Sequence, residues 1–271
     1  MIETRSTQII QPGIYDVTNE DYHNGPGISR TGICEFMKTP LHYWERYINP
    51  FRVVSESSTA EMAFGSAFHL YVLENHLFDK YISIVPKVDK RTTAGKAAWA
   101  QFQANSFGKT LLEEDDYQHI LRMTDRVMSN TTARSLIEGG QNEKSIYYID
   151  AQTGTLCKTR PDVLKTNFIV DLKTAKCARN ISFKWDIKEY GYHIQAGMMC
   201  DGVNQVLKSE INDFIFIVVE KEPPYPLAIY PMHPSYIEMG REIYRQKLIE
   251  IIECKASNNW PGNYESEIIT P

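Results

Sequence analysis

A chain of 271 residues with 42% hydrophobic content can bury a substantial core and falls in the range of one large domain. Its net charge of -5 gives no global attraction to nucleic acid, so a DNA-binding role needs a local basic surface or bound cations. Five scattered cysteines (Cys34, Cys157, Cys177, Cys200, Cys254), odd in number and without a CxxC pair, argue against a disulfide framework and a cysteine-only metal site.

The longest apolar runs, such as FIFIVV at 214–219, fall far short of the roughly 20 residues of a membrane span. The first residues lack the basic end and continuous apolar stretch of a secretory signal. The expectation is a soluble cytoplasmic protein with free thiols and no membrane partner.

Residues 1–12 are expected to be flexible, and 13–28 to form an extended leading segment rich in turn formers. Ser29 is placed to cap a helix bearing Ile33, Phe36 and Met37, which Pro40 interrupts before a second short helix with Tyr43, Trp44 and Tyr47. TAEMAFGSAFHLYVLE (59–74) reads as a strong helix carrying His69, and YISIVP (81–86) as a short strand. KVDKRTTAGKAAWAQFQ (87–103) is polar and basic before it turns helical, and helices over 114–128 and 131–138 complete an otherwise all-helical middle.

From residue 143 the pattern becomes β-favouring. Turn signals at Thr153-Gly154 and Lys165-Thr166-Asn167 predict a three-stranded antiparallel meander ending in FIVDLKTA (168–175). A helix over 181–201, strands at DFIFIVVEK and LAIYPM, and a long helix over 234–256 follow. The whole reads as a single mixed α/β or α+β domain: a mainly helical part (13–142), a sheet with its helix (143–232), and a C-terminal helix and tail (233–271).

Strand alternation puts Phe168, Val170 and Leu172 on one face and Ile169, Asp171 and Lys173 on the other. A turn at 165–167 brings Asp162 back beside Asp171, so two carboxylates and an ammonium converge at one end of the sheet. Such carboxylates repel unless a proton or cation separates them, and hard oxygen ligands suit Mg²⁺ or Mn²⁺, with the Leu172 carbonyl as an extra ligand. A D-x-K triplet alone does not distinguish this site from a solvated charge pair. Glu143, at the start of the meander, could also face the site.

Pro161-Asp162 followed by Asp171-Leu172-Lys173 resembles the PD-(D/E)XK nuclease signature, with Asp as the second acid. The order GISRTGICEFMKTPLHYW, FGSAFHLYVLE, RPDVL, IVDLKTA, Gln195 and a closing NNWPGNY is similar to the RecE-type exonucleases of the RecB-like branch. That resemblance implies a restriction-endonuclease-like core, a central mixed β-sheet flanked by helices. It also implies metal ligation by His69, Asp162 and Asp171, Lys173 as catalytic lysine and Gln195 as a supporting residue. Relatives carry an aromatic four residues after that glutamine; Met199 stands here, and Tyr192, one turn earlier, is the substitute.

As substrate and partners the resemblance implies ends of double-stranded DNA resected 5′ to 3′, a RecT-like single-strand-annealing protein and a homotetramer. Other RecB-like nucleases, Cas4-like or structure-specific, and a silent DNA-binding module of the same fold are the rival expectations. Lys87, Lys90, Arg91 and Lys96, with Arg160 beside the site, are candidate DNA contacts. SFGKT at 106–110 has Gln103 where a phosphate loop needs glycine, so no ATP-driven activity is expected.

Overall fold

A computed structural model of the chain describes residues 10–52 and 59–262, so most of the leader expected to be flexible and the end of NNWPGNY lie outside the described residues. Strand β1 (Gly13–Tyr15) leads into helices α1 (Asn19–Asn24), α2 (Arg30–Lys38) and α3 (Pro40–Tyr47). The Ser29 side chain accepts from the Gly32 N–H, and Thr39 from that of His42. Pro40 therefore opens α3 as well as closing α2, since a first-turn residue needs no N–H.

Helix α4 (Ala60–Leu73), capped by Thr59, is followed by a 3₁₀ turn at Asn75–Leu77, α5 (Phe78–Tyr81) and β2 (Ile82–Val85). Then come α6 (Thr93–Asn105), β3 (Thr110–Glu113), α7 (Glu114–Ser129) and α8 (Thr131–Ile137). The middle is thus not all-helical: β3 pairs in parallel with β2. Four residues before an acidic helix start are too few to show a strand pattern.

The remaining strands are β4 (Gln141–Asn142), β5 (Ser145–Ile149), β6 (Leu156–Thr159), β7 (Val163–Leu164) and β8 (Phe168–Ala175). Helices α9 (Asn180–Glu189) and α10 (Tyr192–Leu207), strands β9 (Asp213–Glu220) and β10 (Leu227–Pro231), and α11 (Pro234–Ser257) complete the described chain. The expected single helix over 181–201 is two helices. Gly191 breaks it at φ 65°, where a Cβ would lie 2.8 Å from the Cys34 sulfur.

The central sheet runs β10-β9-β8-β7-β4, antiparallel except for the β8/β9 pair, and a second sheet runs β1-β5-β6. The expected meander is therefore split, because β5 pairs with β1 and β6 with β5, and only β7 and β8 enter the central sheet. Pro161 marks the split, since it cannot donate to a ladder.

Alternation along β8 and β9 divides the core. Val170, Leu172, Ile217 and Val219 pack with Phe64 and Phe68 of α4 and Ile120 and Met123 of α7. On the other face Ile169, Phe214, Phe216 and Val218 pack with Phe183 of α9 and Ala196, Met199 and Val203 of α10. The far side of α10 buries Ile194 and Met198 against α2, β5 and α11, so this helix is apolar nearly all round. Where α10 crosses α11, a Cβ on Gly240 would lie 1.9 Å from the His193 carbonyl, a contact no larger residue could make.

Candidate active site

The hairpin of β7 and β8 pairs Val163 with Val170 and Leu164 with Ile169. Continuing that register sets Asp162 opposite Asp171, a position at which the ladder makes no hydrogen bond and opposed Cα atoms approach to about 4.5 Å. One step further, Pro161 faces Leu172 and has no N–H to give. The Leu172 N–H instead donates to Asp162 Oδ2 at 2.7 Å. Because N–H and C=O of a strand residue leave by the same edge, the Leu172 carbonyl faces this gap as well. The proline thus opens the ladder and the aspartate fills half of the opening.

On the other side of β7, Asn142 pairs with Val163, and the Glu143 N–H donates to the Asp162 carbonyl at 3.2 Å. Glu143, Asp162 and Asp171 therefore stand in a row across three neighbouring strands. Glu143 holds φ at 52°, a left-handed conformation uncommon outside glycine and often found at functional sites.

Helix α4 brings His69 from the Val170 face of the sheet, its Nδ1 lying 3.3 Å from Asp162 Oδ2. One ligand atom each from His69, Glu143 and Asp162 falls within 4.8 Å of the others. Asp171 turns the other way, toward α10. Gln195 Nε2 donates to its Oδ1, and the Lys173 ammonium forms an ion pair with its Oδ2 at 2.6 Å. The same ammonium is 4.8 Å from the centre of the Tyr192 ring. Of the expected ligands, then, His69 and Asp162 meet directly and Asp171 adjoins them across the strand pair, while Glu143 completes the His69 cluster.

Charge distributes unevenly. Burial disfavours ionised Asp162, but His69, Lys173 and the Leu172 N–H outweigh it and hold this carboxyl below its ordinary range. Burial and then the charge of Asp162 push Asp171 up to about 6 and Glu143 up to about 8. Burial also works against charge on His69 and Lys173, yet the neighbouring carboxylates lift both above their usual values. Gln195 Oε1 is buried without a hydrogen-bond partner, and Asp171 Oδ2 has the Lys173 ammonium beside it. Two carboxyls resisting ionisation beside a third, with an imidazole in reach, are a donor set that fits a divalent cation.

The cations expected to meet DNA are placed differently. Arg160 gives its Nε to the Glu143 carbonyl and its other nitrogens to the Val17 and Thr18 carbonyls, and it pairs with the Glu143 carboxylate at 3.1 Å. It is a strut fixing Glu143 and the leading segment, not a free phosphate contact. Lys87 pairs with Asp115 and Arg91 with Asp89, while Lys90 lies over the Trp99 ring; Lys96 is exposed on α6. None of these four joins the cluster around Asp162.

A mixed sheet with helices on both faces, carrying Asp162, Asp171 and Lys173 at the open end of one hairpin, is the PD-(D/E)XK core. The chain belongs to the family described as PDDEXK-like domain of unknown function (DUF3799), whose model matches residues 29–269. Among solved structures, a candidate exonuclease from Eubacterium rectale is similar over 95% of this chain and 96% of its own, with TM-score 0.65 and 16% identity. LHK-Exo in complex with dAMP aligns over 73% of this chain and 95% of its own at 15% identity, but a TM-score of 0.24 gives that likeness no weight. No curated protein matches the sequence. No helix among the described residues is long and apolar enough to cross a membrane.

Proposed function

We propose that the protein is a metal-dependent exodeoxyribonuclease that hydrolyses phosphodiester bonds at the ends of linear double-stranded DNA. The observation that carries this reading is the row of Glu143, Asp162 and Asp171 at one end of three strands, with Lys173 held against the last of them. His69, Asp162, Asp171, Glu143 and the Leu172 carbonyl are the residues that would hold Mg²⁺ or Mn²⁺. When bound, the cation polarises a phosphoryl oxygen and lowers the pKa of water.

The chain's own groups supply the rest. Lys173, kept protonated by Asp171, presents an ammonium at the mouth of the hairpin, where it orients the attacking water and steadies charge on the phosphorane-like transition state. Gln195 fixes the rotamer of Asp171 from α10, and Tyr192 backs the lysine. His69 and Leu172 N–H keep Asp162 ionised, ready to ligate without first losing a proton.

The resemblance to RecE-type exonucleases supports finer readings: 5′-to-3′ digestion leaving 3′ single-stranded overhangs, recombination with a RecT-like annealing partner, a homotetramer, and action in the cytoplasm. Lys87, Lys90, Arg91 and Lys96 are the proposed contacts to duplex phosphates.

The test is digestion of linear duplex DNA labelled at either end, with Mg²⁺ or with EDTA, beside Asp171→Ala and Lys173→Ala. Mg²⁺-dependent release from the 5′ end that both variants abolish is expected. No release by the wild type, or release by the variants at its rate, overturns the assignment.

A further inference from the structure

We infer that α9 is a docking element for an unpaired DNA strand at this site, a reading that rests on the nuclease assignment above. Phe183 and Ile187 anchor α9 to the sheet. On its opposite side Ile181 and Trp185, 70% and 71% exposed, stand one turn apart, and Lys184 and Lys188 form the adjacent row. Single exposed apolar side chains are ordinary, but two neighbouring ones bordered by a row of cations form a surface that can take a ligand.

The surroundings select the occupant. Residues 176–189 carry Lys176, Arg179, Lys184 and Lys188 against two acids, Asp186 and Glu189, in a chain whose net charge is -5. Among the described residues none of the four cations is held in an ion pair. A second copy docking this face on itself about a two-fold axis would bring Lys184 and Lys188 of both chains together, a like-charge contact that disfavours self-association. A polynucleotide meets both features at once: phosphates match the lysine row, and a base stacks on the indole. Bases within a duplex already have both faces covered, so Trp185 selects an unpaired strand.

Position ties this face to the chemistry. Helix α9 directly follows the strand that carries Asp171 and Lys173. The Lys173 ammonium lies over Tyr192, whose ring is 6.0 Å from Phe183 of α9 and 5.7 Å from Tyr190, which is 52% exposed. Arg30 pins the end of α9 by donating to the Tyr190 carbonyl at 3.0 Å. Ring contacts therefore run from the reacting end of the hairpin to the sheet-facing side of α9, the helix whose outer side carries Ile181 and Trp185.

The experiment measures binding of a fluorescein-labelled oligo-dT of about 15 nucleotides, and of a blunt duplex of equal length, to the full chain in EDTA, where no cleavage is expected. Trp185→Ala should weaken oligo-dT binding about tenfold and leave duplex binding within about twofold, while Trp185→Tyr restores it. Lys184→Gln with Lys188→Gln should lower the slope of log affinity against log salt by about 1.4. Wild-type oligo-dT affinity in Trp185→Ala overturns the proposal, as does an equal loss for duplex and oligo-dT. A shift of Trp185→Ala to a smaller species in sedimentation overturns it too, by showing that a second copy covers this face. Failure of the nuclease reading registers separately, as no nucleotide release by the wild type with Mg²⁺.

Discussion

The two sides of the candidate active site treat the same residue type in opposite ways. On the α4 side, Asp162 has His69 at 3.3 Å and the Leu172 N–H at 2.7 Å, and it stays ionised below its ordinary range. On the α10 side, Asp171 is fully buried and also has two partners, Gln195 and Lys173, yet it is pushed up to about 6. The difference lies in order of occupancy: Asp162 takes the stabilising donors, and its settled charge is then part of what makes a second and third carboxylate costly. Asp162 belongs to the framework as much as to the chemistry. The charge of Asp171 and Glu143 is held in a state that a proton or a cation relieves.

The sharpest way to break this comparison is one substitution made on both sides. Asp162→Asn and Asp171→Asn should each lower the rate of nucleotide release by about a thousandfold, since each removes an anionic group that would hold the cation. Their melting temperatures should diverge. Asp162→Asn loses charge-assisted hydrogen bonds and should cost about 2 kcal/mol, whereas Asp171→Asn offsets the lost Lys173 ion pair by removing a disfavoured charge and should cost less than about 1 kcal/mol. Equal destabilisation by the two would show that the sides are not distinct.

A smaller effect follows from pH. Asp171 and Glu143 have folded-state values raised to about 6 and about 8, above the roughly 4 of an unfolded carboxyl. Between those limits the folded protein binds more protons than the unfolded one, so their contribution is full below about pH 4 and is lost as pH rises through 6 and then 8. Melting in EDTA should therefore give a Tm lower at pH 8.5 than at pH 5.5, by about 5 °C. Glu143→Gln should shrink that drop and weaken Mg²⁺ binding about tenfold by calorimetry. Added Mg²⁺ should recover the wild-type Tm at pH 8.5 by mass action. A Tm that rises from pH 5.5 to 8.5 in EDTA would contradict the charge arrangement.

What could be read from the sequence divides along the same line. Alternation in FIVDLKTA places Asp171 and Lys173 on one face, and the turn at 165–167 returns Asp162 to them; both are local, period-two facts that survive in the fold. The position of Glu143 is not legible because it follows a strand of only two residues, and its left-handed backbone and hydrogen bond to the Asp162 carbonyl are encoded by no pattern. Arg160 is a related case: nearness in sequence to Asp162 is visible, but the carbonyls of Val17 and Thr18 that take its donors come from over 140 residues away. The breaks at Gly191 and Pro161 were carried by single residues whose effect depends on what packs beside them.

The smallest effects concern the remaining cations, and they extend the comparison from carboxylates to bases. Arg160 and Arg91 both pair with an acid, yet Arg160 is sunk among three carbonyls while Arg91 and its partner Asp89 lie in solvent. Arg160→Lys cannot reproduce a planar fork across those acceptors and should cost about 1–2 kcal/mol in a denaturant titration. Lys87→Ala and Arg91→Ala should each change stability by less than about 0.5 kcal/mol, as exposed pairs do. Their signature lies in binding. If the loop meets duplex phosphates, each removal lowers the slope of log affinity for duplex DNA against log salt by about 0.9, with no change in the rate at saturating DNA. Stability losses in the loop variants equal to that of Arg160→Lys would mean that burial does not separate the two kinds of ion pair in this protein.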